Sequence, residues 1–385
     1  NISTGVSAAT GYGISVGGST PGTSGADNDN TTLQNNAITV ATVGIYANGT
    51  ASVSTGGNDS LAITDNTIDS NTTIQNQGIQ VGNATGSSIT GNTVSVQSSG
   101  AVQPTAISLE TGFVSSSVTR NKVTKALAAN TAGYGGRGIT IGTGTATSVL
   151  TIANNVIYGV NGSNWNTFSG SSSFGIGIGV LGGGSLTTTT GGVNLYYNSV
   201  SMTGSMGSAS TTALTTALYV GSGASALDIR NNVLANTQFG TNASQKNYAI
   251  YSAVANTAYT TINYNDYFVS NTFNASSAIP GYIGSDRLDL SAIQTGFGQN
   301  ANSITSNPLF NNPLSNLQPQ TGSPLLLAGT PIGGITTDIL GTTRNVTTPT
   351  IGAYENAADT AGPSITYTPF GNTTSLADRT LTATI

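Results

Sequence analysis

Aliphatic residues recur along this chain in a fixed relation to asparagine: aliphatic, two residues, Asn, one residue, apolar. Leu33, Asn36 and Ile38 form the first copy, and the later ones carry Asn66, Asn92, Asn121, Asn155, Asn198, Asn232 and Asn265. Successive asparagines are 30, 26, 29, 34, 43, 34 and 33 residues apart, which fits one turn of a coil plus loops of variable length. Apolar positions two residues apart, with Ser, Thr or Asn between them, predict half-buried strands rather than helices. Between the copies lies a second pattern, Gly or Ala followed by an aliphatic: Gly44-Ile45, Gly78-Ile79, Ala106-Ile107, Gly138-Ile139, Gly175-Ile176, Ala217-Leu218 and Ala249-Ile250. The small residue lets neighbouring backbones approach. Each rung therefore predicts at least two short strands, and the chain predicts a stack of rungs.

A buried amide without partners costs roughly 1 to 3 kcal/mol, so the eight repeating asparagines need one another. Rungs about 4.8 Å apart let each side-chain amide bond the ones above and below, as in ladders of stacked sheets. Asn35, Asp65, Gly91, Asn154 and Asn231 precede the ladder residue in five copies, and these types tolerate a left-handed corner between two strands. Arg120, Tyr197 and Tyr264 occupy the same place in the other three, where a differently built corner is expected.

As a set, these repeats resemble the right-handed parallel β-helix superfamily with its pectate-lyase-like repeat, over residues 1–305. The resemblance implies an all-β, single-stranded right-handed solenoid, and eight rungs imply a shaft on the order of 40 Å. Asn307-Pro308-Leu309-Phe310, Leu317-Gln318-Pro319, Gly322-Ser323-Pro324 and Ile351-Gly352-Ala353-Tyr354-Glu355 resemble the closing segment of secreted bacterial β-helices. In that family the block, here 306–356, follows the last coil and caps the open core; the usual Asp before Ile-Gly-Ala-Tyr-Glu is Thr350. Residues 357–385, with Gly362-Pro363-Ser364-Ile365-Thr366-Tyr367, resemble a linker and the first strands of an immunoglobulin-like β-sandwich in large proteins exported by type IX secretion. The resemblance implies a segment of a larger polypeptide at the cell surface or outside an exporting bacterium.

Composition narrows the partners. Only 9 basic and 14 acidic side chains serve 385 residues, so Ser, Thr, Asn and Gly must cover the surface, and a phosphate-neutralising stripe for nucleic acid is missing. No apolar run reaches the length of a membrane span. Zero Cys removes disulfides and thiolate metal sites, leaving packing and ladders to hold the fold.

Candidate chemistry is sparse. Hydrolases resembling polygalacturonase combine clustered aspartates with a histidine, and this chain has no His. Lyases resembling pectate lyase need calcium held by carboxylates and an Arg or Lys base. Arg120, Lys122, Lys125 and Arg137, four of the 9 basic residues in two rungs, form the best cationic candidate, with Glu110 the nearest acid. They would serve a uronate or sulfated glycan, or one would act as the lyase base; the plainer reading is a solvated face. Asp27 and Asp29 flank Asn28 in a pattern suited to calcium, without the later Glu of a full loop. Asp59, Asp65 and Asp69 form a second acidic group. Tyr248, Tyr251, Tyr264 and Tyr267 would stack on sugar rings if exposed, or fill wide coils if buried. Trp165, in the loop of the longest interval, adds a modest ligand signal.

The expectation is a non-catalytic extracellular β-helical segment acting as adhesin, rigid stalk or glycan-binding module. The rivals are a polysaccharide lyase acting on acidic glycans and a substrate of outer-membrane secretion or motility machinery.

Overall fold

The computed structural model describes residues 2–3, 11–25, 28–51, 57–69, 77–100, 102–129, 134–162, 175–181, 189–206 and 211–356. Each rung contributes three strands, one more than the repeat requires, to three long parallel sheets. Sheet I holds the strand before each ladder asparagine, from Thr32–Gln34 through Ser88–Thr90 and Leu150–Ala153 to Tyr259–Asn263. Sheet II holds the strand after it, as in Ala37–Thr39, Lys122–Ala128 and Val233–Asn236. Sheet III holds the Gly or Ala strands, from Tyr12–Val16 through Val43–Asn48 to Ala278–Ile283, and ends in the antiparallel Ser285–Arg287. The chain is an all-β parallel β-solenoid, as the repeat predicts. The predicted sandwich strands lie in 357–385, outside the described residues, as do Asp27 and Trp165.

The aliphatic pattern sets the register. In sheet I, Leu33, Ile63, Ile89 and Val118 stand over one another; in sheet III, Ile45, Ile79, Ile107 and Ile139 do the same. These columns merge with those of sheet II into one continuous apolar core inside the coil. Gly44 shows why a small residue precedes each aliphatic. A Cβ there would stand 2.6 Å from the Gly78 carbonyl oxygen and 2.8 Å from Cγ2 of Ile68, so a larger side chain would force the rungs apart.

The far end of the core is closed by the helix Leu290–Phe297. Asp289 caps it by accepting the Ala292 N–H, and Ile293 and Phe297 turn into the core, where Phe297 meets Tyr259 edge to face. Residues 306–356, expected from the resemblance to cap that end, instead lie back along the flank. Phe310, Leu317, Leu325, Ile339, Ile351 and Tyr354 form a second apolar core with Val156, Val233 and Ala235 on the outer face of sheet II. The reason is geometric: the helix already covers the core opening, and the outer face of sheet II offers apolar residues that need cover.

Candidate functional site: the ladder corner and its groove

The ladder is realised at every rung, and its hydrogen bonds run in one direction. Oδ1 of Asn155 accepts both the backbone N–H and the side-chain amide of Asn121, each at 3.0 Å. Asn155 in turn donates its backbone N–H at 3.1 Å and its amide at 2.9 Å to Oδ1 of Asn198, and the same amide donates to the Val118 carbonyl at 2.9 Å. The pattern ends at Asn265, whose backbone N–H donates to Oγ of Ser303. These asparagines are a structural column, with no side-chain acceptor turned to solvent through its middle.

All eight residues before the ladder asparagines are left-handed. Asn35, Asp65, Gly91, Arg120, Asn154, Tyr197, Asn231 and Tyr264 have φ of 57°, 53°, 70°, 58°, 56°, 53°, 61° and 56°. Arg120, Tyr197 and Tyr264 were expected to build a different corner, and they do not. The two hydrogen bonds that each ladder asparagine sends to the next dictate one backbone geometry, and a bulky residue is held there despite the steric cost of that region.

The departure at Arg120 and Tyr197 has a visible use, because corner side chains of four successive rungs hold the flanking block. Arg120 donates from Nη2 to Oγ1 of Thr337. Asn154 donates to the Thr337 carbonyl at 2.9 Å. The Tyr197 hydroxyl donates to the Thr330 carbonyl at 2.6 Å, and burial pushes that phenol up to about 12. Asn231 brackets the same residue, donating to the Thr330 carbonyl at 2.8 Å and accepting its N–H at 2.9 Å.

At the centre of this contact Arg344 and Glu355 form a buried ion pair, 3.2 Å apart and only 3% and 4% exposed. Nη2 of Arg344 donates to Oδ1 of Asn154 at 2.7 Å and to the Gly352 carbonyl at 2.9 Å. Its guanidinium lies over the Tyr197 ring, 3.7 Å from the centroid. Glu355 accepts the Thr350 N–H at 3.0 Å, and its own N–H donates to Asp338 at 2.8 Å. Thr350, standing where the resemblance has Asp, also donates its hydroxyl to Glu355 at 3.3 Å. Burial pulls the Arg344 guanidinium down, with Tyr197 and Glu355 opposing. Sequence reasoning passed over this clamp, although any charged residue in a chain with 23 of them is a signal.

Beyond the end of the block the corner opens into a groove of about 400 Å³. Arg120 and Lys122 line it with Asp65, Thr64 and Thr90, and Ile339 and Leu340 of the block close one side. Of the four cations grouped by sequence, these two share the groove. Lys125 lies further along the sheet II strand, past a one-residue register shift, beside Ser95. Arg137 starts a sheet III strand, where burial pulls it down to about 10 and Glu110 and Tyr219 oppose. Distance along the strand separates Lys125 from the groove, and a turn onto another sheet of the coil separates Arg137.

The tyrosines resolve into fillers and a stack. Tyr267 is fully buried in the core and donates to Asn300 at 2.8 Å, so it offers no face to a ligand. Tyr248 is buried with its hydroxyl on Asp286 at 3.0 Å, and Lys246 completes that pair at 2.5 Å. Tyr251 is half-buried between Tyr219 and Tyr282, its ring parallel to both within 15° at 5.9 Å and 4.2 Å. Rings of the two neighbouring rungs therefore stand against both faces of Tyr251. Tyr264 is a half-buried corner residue. Among the acids, Oδ1 of Asp29 accepts the Asp59 N–H at 2.9 Å, which ties one rung to the next. No group of three metal-ligating side chains occurs among the described residues.

No protein-family model matches the chain, and no curated protein matches it in sequence. No helix among the described residues is long and apolar enough to cross a membrane.

Proposed function

We propose that the chain is a non-catalytic, rigid β-helical module of an exported protein at the bacterial surface or in the medium, working as a stalk or adhesin that engages acidic glycans. The observation that carries the reading is the groove: Arg120 and Lys122 line it together with Asp65 and three threonines, on an unbroken ladder. Two cations on a stiff face bind carboxylate or sulfate without a cost of reorganisation, and hydroxyls add hydrogen bonds to neighbouring sugars. The resemblances of the repeat and of 306–356 to secreted bacterial β-helices, and of 357–385 to type IX substrates, support export. Titration with tetragalacturonate and heparin-type oligosaccharides tests it. Binding is expected to weaken as salt rises and to be lost in Lys122→Ala; binding unchanged in that variant refutes the groove.

A lyase is the second reading, in which Arg137, pulled down by burial to about 10 with Glu110 opposing, would act as the base. Unsaturated product absorbing at 235 nm from a uronate polymer, abolished by Arg137→Ala, would replace the stalk reading with that one.

A further inference from the structure

We infer that a second ligand site, for a neutral sugar unit, lies between the shaft and the flanking block. A cleft of about 520 Å³ opens there, within the size range of small-molecule sites. Its floor is Ser201 and Ala235, adjacent in the register of sheet II, and these small side chains create the hollow. Phe239, Phe268 and the segment Pro308 to Phe310 complete the lining.

Charge and polarity select the ligand. None of the 14 lining residues is ionisable, so a charged group entering the cleft would lose hydration without a counter-charge. Of its six hydroxyl and amide side chains, those of Ser201, Thr237, Asn307 and Gln320 bond to neighbouring protein groups, which leaves Ser270 and Thr272 to meet the hydroxyls of a ligand. A pyranose answers both conditions, with a C–H face for the aromatic walls and hydroxyls for the rim.

The cleft is also preformed. Leu309 holds a left-handed φ of 49° and remains 39% exposed at the wall. Its N–H donates to Asn307 at 3.0 Å and its carbonyl accepts the Gln320 N–H at 2.8 Å, so the strained turn is locked from both sides. This site is independent of the Arg120 groove.

The test is calorimetric titration of the whole chain with linear tetrasaccharides of glucose, xylose and mannose, and with dodecanoate and tetragalacturonate. At least one neutral tetrasaccharide is expected to bind, weakened about tenfold or more by Phe268→Ala. Because Phe268 also packs against the second core, Thr272→Trp, at an exposed rim position, gives a block of the mouth that leaves packing intact. Lys122→Ala should leave neutral-sugar binding unchanged. Binding of dodecanoate without any neutral sugar, no binding at all, or sugar binding that survives both cleft variants overturns the site. Loss of sugar binding in Lys122→Ala also overturns it and moves the ligand to the groove.

Discussion

Two buried polar systems hold this molecule, and they differ in kind. The asparagine ladder repeats one small neutral group eight times, each asparagine bonded to the next. The clamp of Arg344 and Glu355 occurs once, carries full charges, and joins segments 190 residues apart through Asn154. The ladder holds rung to rung within the shaft; the clamp holds block to shaft. Redundancy follows from repetition, since losing one ladder member leaves seven, whereas losing one clamp member strands a buried charge.

The largest expected effect is therefore at the clamp. Arg344→Met leaves Glu355 buried without its partner and should lower unfolding free energy by about 3 to 5 kcal/mol. Denaturant titration reads it, with limited proteolysis showing whether 306–356 releases first. Replacing both members, Arg344→Met with Glu355→Leu, should recover most of the loss; no recovery would assign the effect to packing.

The ladder sets the next scale. Asn155→Ala removes the acceptor of two buried Asn121 donors and should cost about 2 to 3 kcal/mol, while Asn36→Ala, at the half-buried first rung, should cost about 1 kcal/mol or less. Equal costs at the two ends of this comparison would mean that position in the ladder does not matter.

A third variant concerns the rung where ladder and block meet. Asp266 is fully buried, Oδ1 accepts the Ser306 N–H at 3.0 Å, and Oδ2 has no partner among the described residues. Burial raises its carboxyl well above the usual range. The folded chain therefore retains a proton that the unfolded chain releases above about pH 4, so stability falls as pH rises from there, by up to about 1.4 kcal/mol per pH unit, until the folded group ionises. Asp266→Asn should flatten that limb of a melting-temperature profile against pH; an unchanged slope places the ionisation elsewhere.

The smallest effect is at the corner. Tyr197→Phe keeps the ring under Arg344 and loses only the hydroxyl bond to Thr330, at about 1 kcal/mol. A loss as large as that of Arg344→Met would mean that the corner, rather than the ion pair, fastens the block.

The legible part of the sequence is its periodicity. The spacing of Asn36 to Asn265 and of their aliphatic neighbours determines the strand period, the inward columns and the ladder, because each rung repeats the same local contacts and one-dimensional order is written along the chain. The left-handed corner is legible at Asn35 or Gly91, where residue type reports backbone geometry, and illegible at Arg120 and Tyr197, where the neighbouring ladder bonds dictate it. Tertiary structure alone decided the rest. It took Lys125 and Arg137 away from the groove of Arg120 and Lys122, because Lys125 lies past a register shift on the same strand and Arg137 turns onto another sheet of the coil. It turned Tyr267 inward and set Tyr251 in a stack, since side-chain direction depends on rung and register. It laid 306–356 along the flank and joined Arg344 to Asn154, a contact between distant segments that no local period encodes.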